Sequence, residues 1–298
     1  MRKTSGRVGS RAGSGKGTVS KGRRKPNVAS KWGQGSQRGN RKTATPRVEG
    51  NVQKNADDDS GLIRLNKLIA QSGVCSRREA DTLIATGVIE VNGEIVTELG
   101  YKVSPEDRVS MNGETLKTEK KVYILLNKPK DYITTSNDPQ NRKTVFELIK
   151  NATTERVFSV GRLDRMTTGI LLFTNDGAVA EKLTHPSYNK KKIYQVELHK
   201  SLSGGDLAKI ASGITLEDGF IQPDAISYAL PGDKHVVGIE IHSGRNRIVR
   251  RIFEHLGYKV TKLDRVYYAG LTKKNLPRGK WRFLTAKEIG ILKQGAYE

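Results

Sequence analysis

The chain has 298 residues, enough for one or two domains with a packed core, and its 53 Lys and Arg against 31 Asp and Glu give a formal charge of +22. So large a basic excess points to a polyanionic partner, nucleic acid first and a membrane surface second. The membrane is not supported, because there is no apolar run of roughly eighteen residues, no lipidation signal and no apolar stretch behind the basic N-terminus. Cys75 is the only cysteine, which excludes an intrachain disulfide and fits a reducing, cytoplasmic compartment. In such a compartment the Asn151-Ala152-Thr153 sequon is a chance match.

Residues 1–60 are rich in Gly, Ser, Lys and Arg and show neither a strand nor a helix period. They cannot bury enough apolar surface to offset the entropy of ordering, so a disordered arm is expected. Its 15 basic and 4 acidic residues give it a net +11, half of the total. Such an arm either binds phosphate backbone in a salt-dependent way or serves only as a solubilising tail. Within it, Gly13-Ser14-Gly15-Lys16-Gly17-Thr18 lacks the glycine placement, the Lys-Ser/Thr pair and the preceding strand of a phosphate loop, and is set aside.

From Leu62 the texture changes. Arg64 to Ala70 has helical spacing and stops at Gly73, and Ser76-Arg77-Arg78-Glu79 opens a second helix with a Ser-x-x-Glu capping box that ends at Gly87. Val88–Val91 and Glu94–Val96 flank Asn92-Gly93, the strongest short hairpin signal. Short strands continue to about Leu116, with turns at Pro105-Glu106-Asp107 and Asn112-Gly113. With its Ser-Gly-Val-x-Ser-Arg-Arg-x-Ala-Asp core and Val-Asn-Gly turn, the passage from Arg64 to Gly113 resembles the S4 RNA-binding domain. The resemblance implies an RNA-facing surface that includes Lys67, Arg77 and Arg78. By residue type alone, the same three read as a solvated helix face.

Beyond Lys121 the sequence predicts one larger α+β domain. Strands are expected at 122–127, 157–163, 169–174, 192–198 and 236–242, and helices at 145–150, 178–184, 206–212 and 247–256. Strands so rarely separated by full crossover helices favour a mainly antiparallel sheet. The domain boundaries are thus expected at 1–60, 61–118 and 119–298.

Residues 160–177, Val-Gly-Arg-Leu-Asp-Arg-Met-Thr-Thr-Gly-Ile-Leu-Leu-Phe-Thr-Asn-Asp-Gly, set Asp164 between Arg162 and Arg165 just before an apolar strand. Flanking positive charge favours the carboxylate form, suited to a nucleophile or base rather than an acid. On spacing alone, an arginine ion pair at a strand end is the commoner outcome. The full run resembles the catalytic motif of the S4-domain-containing ribosomal RNA pseudouridine synthases that modify single uridines of the small or large subunit, and there the aspartate after Gly-Arg-Leu is Asp164.

That resemblance implies an α+β architecture, with a mixed, mainly antiparallel sheet carrying the active site in a cleft, and a reaction that needs no cofactor. It implies that Tyr194, in Lys192-Ile193-Tyr194-Gln195-Val196, stacks on the uracil, although a tyrosine among apolar strand neighbours is also ordinary packing. Arg162 would fill space or contact phosphate beside the flipped nucleotide. In Gly244-Arg245-Asn246-Arg247-Ile248-Val249-Arg250-Arg251-Ile252-Phe253, Arg250 borders the apolar stripe of a helix and matches the basic partner of the aspartate. Arg245 and Arg247 would bind the substrate, and Arg251, on the opposite flank, is expected to face RNA. Ile248 and Met166 stand where the family usually has glutamine and asparagine.

The five histidines show no ligand spacing with one another or with Cys75, so no metal is expected. The implied partner is ribosomal RNA or a ribosomal subunit precursor, the implied state a monomer, and the large-subunit branch is favoured over the small. A non-catalytic ribosome-assembly factor would not need the trio Asp164, Tyr194 and Arg250. An S4-linked methyltransferase would need a Gly-x-Gly loop after a first strand, and residues 121–298 contain none.

Overall fold

The computed structural model describes residues 61–295, so the expected arm at 1–60 lies outside the described residues. The first module opens with β1 (Ile63–Arg64), α1 (Leu65–Gln71) and α2 (Arg77–Ala85). Leu65 and Ile69 on α1, and Ala80 and Ile84 on α2, are each four residues apart and therefore share a helix face; all four are buried. Ser76 and Glu79 close the capping box in both directions.

β2 (Ile89–Val91) and β3 (Glu94–Ile95) form the expected hairpin, with Asn92 and Gly93 at φ 55° and 89°, the left-handed pair that a tight type I′ turn requires. β4 (Lys102–Val103) pairs with β1, while β5 (Val109–Met111) joins β2 to β6 (Glu114–Thr115) in a sheet ordered β3-β2-β5-β6. The backbone N–H of Glu119, in the segment that leaves this module, donates to the Gln71 carbonyl, and Asn175 of the following domain donates to the Glu119 carboxylate.

The second domain begins with β7 (Tyr123–Lys128), β8 (Phe158–Val160) and β9 (Thr168–Thr174). β7 and β9 are antiparallel, and both are buried along their whole length. Tyr123, Leu125, Ile170 and Leu172 pack into one core and Ile124, Leu126, Leu171 and Phe173 into another. A strand covered on both faces reads as a continuous apolar run, which is why the sequence made these two so plain. The expected helix at 145–150 is instead a chain of i to i+3 turns, from Leu148 N–H to Val145 and Ile149 N–H to Phe146. Val145 and Ile149 are buried, and their spacing of four supplied the helical signal. The strand expected at 157–163 stops at Val160, because Gly161 turns the chain at φ 73°.

After α3 (Gly177–Thr184) come β10 (Lys192–Leu198), α4 (Gly204–Ser212) and a small hairpin of β11 (Ile214–Leu216) and β12 (Gly219–Ile221). Next follow β13 (Ala225–Leu230), β14 (Asp233–Ile241), α5 (Ile248–His255) and β15 (Val260–Tyr268). β16 (Leu271–Thr272), β17 (Trp281–Phe283) and α6 (Ala286–Gln294) complete the described chain.

The main path of the large sheet is β13-β14-β10-β15-β9-β7-β17, and every junction on it is antiparallel except β15 with β9. That one parallel seam pairs only Asp264 with Thr168 and Arg265 with Gly169. Gly169 has φ 110°, and a Cβ there would collide with the Arg265 backbone, so the close approach of the two strands demands glycine. Arg265 is buried and donates from Nε and Nη2 to the Ile170 carbonyl, which fastens the seam.

Candidate active site

Asp164 lies on the loop between β8 and β9. Thr134 holds the residue before it by both backbone groups, its hydroxyl donating to the Leu163 carbonyl (2.9 Å) and accepting from the Leu163 N–H (3.3 Å). Lys128, wholly buried at the end of β7, places its ammonium among the carbonyls of Pro129, Asp164, Arg165 and Thr167 at 2.8–3.2 Å. A turn from the Thr167 N–H to the Asp164 carbonyl closes the loop. Burial pulls Lys128 down to about 8, against the opposing pull of the Asp164 carboxylate. In the sequence Lys128-Pro129 reads only as a strand stop. The available signal was a lysine ending a run that is otherwise apolar.

The cations within ion-pair range of the Asp164 carboxylate come from the C-terminal half of the chain. Arg247 leaves the helical conformation at φ 48°, just before α5, and brings Nη1 to 3.7 Å from Asp164 Oδ2. Arg250, on the first turn of α5, has 8% of its side chain exposed and brings Nε to 3.9 Å from the same oxygen. Its Nη1 donates to the Val260 carbonyl, while the buried Nε has no hydrogen-bond partner. Burial, and then the charge of Arg247, lower the affinity of Arg250 for its proton, and Asp164 opposes both. At 3.9 Å the Nε contact is an ion pair too long to be a hydrogen bond, leaving a desolvated donor beside a carboxylate.

The flanking arginines behave differently from their sequence positions. Arg165 is paired with Asp131 at 2.6 Å, and both it and Arg162 line the cleft without an ion pair to Asp164. The charge beside Asp164 is therefore supplied by Arg247 and Arg250, more than eighty residues away in sequence.

The cleft around this group has a volume of about 480 Å³ and runs over the parallel seam, with Asp164, Arg162, Tyr194, Lys192, Arg245 and Arg247 in its walls. That is within the range of small-molecule sites, roughly 300–1,000 Å³. Tyr194 is half-buried on β10, opposite Arg265 of β15 in register, where a bulge separates it from Ile193. Lys192 lies on the same face of β10, and its ammonium donates to the His242 carbonyl (2.6 Å) and the Lys190 carbonyl (3.0 Å). Burial, then the charge of Arg265, brings Lys192 to about 8.

Arg245 reaches the Gly219 carbonyl at 3.3 Å. Arg251, expected to face RNA, is instead bound through both terminal nitrogens to Asp218 at 2.8 Å, with 22% of its side chain exposed. Its place on the helix aims it at the β11–β12 turn, where a carboxylate waits. Ile248 is buried in the cleft wall, whereas Met166 is exposed on the loop. In the first module Arg77 and Arg78 stand exposed on α2 and Lys67 is half-buried on α1; none of the three lines the cleft. Among the described residues, no cluster of three or more His, Cys, Asp or Glu could hold a metal, and no helix is long and apolar enough to cross a membrane.

Residues 122–255 match the family model of RNA pseudouridylate synthases, and residues 63–109 match that of the S4 domain. The chain belongs to the RNA pseudouridine synthase family, in its S4-bearing form. A relative in Bacillus subtilis named ribosomal large subunit pseudouridine synthase B is 43% identical over 234 residues, covering 77% of this chain and 95% of that protein. An RNA pseudouridine synthase of Aquifex aeolicus is 42% identical over 233 residues, covering 77% of this chain and 93% of the relative. A crystal structure of a pseudouridylate synthase aligns with 77% of this chain and 99% of its own, at 31% identity and a TM-score of 0.56.

Proposed function

We propose that this protein converts one uridine of ribosomal RNA to pseudouridine, in the large subunit, with residues 61–118 docking the RNA and residues 119–298 carrying the chemistry. The reaction breaks the bond from ribose C1′ to uracil N1 and joins C1′ to C5; N1 gains a proton and C5 loses one, so it is an isomerisation with no co-reactant. The large-subunit assignment is supported by the name of the Bacillus relative, and the closeness of the two chains over nearly the whole of that protein makes a shared target the simplest reading.

The observation that carries the assignment to the cleft is the buried, unpartnered Nε of Arg250 facing Asp164. Long contacts of this kind in a free site tighten when substrate closes over them. Asp164 is the essential group. Three first steps are open to a carboxylate in this place: attack on ribose C1′, addition to the uracil ring, or removal of a ribose proton. Arg250 holds the carboxylate in position and neutralises it after water has been expelled. Tyr194 offers its ring to the uracil, and Arg162, Arg245 and Arg247 take the phosphates on either side. Taking the uridine out of its stack costs a few kcal/mol, repaid by these contacts. The enzyme acts as a monomer in the cytoplasm.

Pseudouridine mapping of ribosomal RNA from cells lacking the protein tests the reading. One large-subunit position should lose its modification and regain it when the wild-type gene is restored. Loss at a small-subunit position would move the substrate, and an unchanged map would remove the enzymatic reading altogether.

A further inference from the structure

We infer that Phe220, on a hairpin tied to the cleft through Arg245, is a stacking platform for an unpaired base flanking the target uridine; the inference rests on the RNA-modifying function proposed above. Phe220 lies on β12, in register with Thr215 of β11, and 56% of it is exposed. A lone exposed phenylalanine is unremarkable in itself. Two features of its setting distinguish this one.

The first is that the ring is seated. A Cβ on Gly213 would collide with the far end of the Phe220 ring, so the ring occupies space left by the missing side chain while more than half of its surface stays open. The second is that the hairpin is tied to the cleft. Asp218, at its turn, accepts both terminal nitrogens of Arg251 from α5, and Arg245 lies 3.7 Å from Asp218 while donating to the Gly219 carbonyl. Arg245 also lines the cleft, so Phe220 follows directly on a carbonyl held by a cleft residue.

A ring so fixed loses little freedom when a flat partner covers it. Extruding the uridine deprives its neighbours of a stacking partner, and single-stranded bases are characteristically taken up on aromatic planes. The platform is sequence-tolerant, because every base has a π-face. It therefore adds affinity for the unpaired strand around the target rather than reading a base.

The test is single-turnover kinetics at pH 8 on large-subunit ribosomal RNA transcribed without modification from the source organism's own gene, comparing wild type with Phe220→Ala, Phe220→Leu and Phe220→His. Loss of one base stack is worth roughly 5- to 150-fold in affinity, so Ala and Leu should raise the half-saturating RNA concentration about tenfold and leave the saturating rate within about twofold. Histidine keeps a flat ring and should stay near wild type. Half-saturation unchanged in Phe220→Ala overturns the platform while leaving the proposed function intact. Wild-type behaviour from Phe220→Leu shows apolar packing instead of stacking and overturns it too, as does a fall in saturating rate with half-saturation unmoved. A wild-type chain that isomerises no uridine in this RNA overturns the proposed function, and the platform with it.

Discussion

On the S4 module, Arg77 and Arg78 stand exposed on a helix face, whereas around the Asp164 loop Arg250 keeps 8% of its side chain exposed and Lys128 is wholly buried. Exposed cations are hydrated and screened, so each adds a modest, salt-dependent increment of affinity to any polyanion. Buried cations cost several kcal/mol in lost hydration, and the fold retains them only where carbonyls or a carboxylate offset that loss. Lys128 recovers it from the Pro129 carbonyl and three carbonyls of the Asp164 loop, and so fixes a backbone. Arg250 recovers only part, through Val260, and keeps an unmet donor for Asp164. On the proposed function, the module's charge supplies attraction and the charge around Asp164 supplies geometry.

The comparison breaks first at Asp164. Asp164→Asn keeps the size and removes the charge, and it should give no detectable pseudouridine from unmodified ribosomal RNA while binding persists in a filter assay. Product at the wild-type level would show that the cleft's cations serve some other anion. Arg250→Ala should come next. Removing Arg250 leaves the Asp164 carboxylate without its buried cation, a loss softened because Asp164 is 37% exposed to water. A fall of roughly a hundredfold or more in single-turnover rate is expected. Arg250→Lys retains the charge without the planar fork and should recover part of that rate. Equal loss from Ala and Lys would mean that Arg250 acts by shape alone.

The S4 module was legible almost in full because its determinants are local: a capping box, an Asn-Gly turn, apolar pairs four apart. In the second domain β7 and β9 were legible for their unbroken apolar runs, but β15 was missed. Its residues Lys262, Asp264 and Arg265 make the segment look like a loop, although Arg265 is buried against the seam and Asp264 is paired on the other face. Charged residues inside a sheet are paired by chain segments that a local window cannot contain. The candidate site has the same character. The sequence set Arg162 and Arg165 beside Asp164, yet the contacts are with Arg247 and Arg250, and only the resemblance to a known family brought Arg250 to it. The local hint at Lys128, a lysine closing a strand run, does not by itself distinguish a carbonyl-clasping lysine from a solvated one.

Asp264 sharpens the comparison on the stability side. It lies on the sheet face away from Tyr194, is 14% exposed, and is paired with Lys273 and with both terminal nitrogens of Arg278. Burial pushes its carboxyl upward, but the hydrogen bonds from Arg278 and Lys273 outweigh this and hold it at about 2, against an ordinary 3.8. A depressed carboxyl contributes stability that is present above its unfolded value and lost as pH falls toward its folded one. The wild-type advantage over Asp264→Asn in urea unfolding should therefore hold from neutrality to about pH 4 and shrink by about 2 kcal/mol on approaching pH 2. An advantage that did not change across that window would place the pair outside the energetics of the fold.

The smallest effects belong to the exposed cations. Arg77 makes only a long contact to Asn66 at 3.5 Å, so its substitution disturbs little of the fold. Arg77→Ala with Arg78→Ala should leave unfolding nearly unmoved and the saturating single-turnover rate unchanged. What should move is the dependence of binding on salt: each phosphate that is no longer neutralised lowers the slope of log binding constant against log salt by about 0.7 to 0.9. The pair should thus reduce it by about 1.5, with the largest affinity loss at low salt. The same measurement on Arg250→Ala supplies the contrast, because a buried cation held against Asp164 exchanges few counterions and should leave the slope as it was. If the double variant kept the wild-type slope, α2 would be turned away from the RNA, and the docking surface of the S4 module would have to be sought on its sheet.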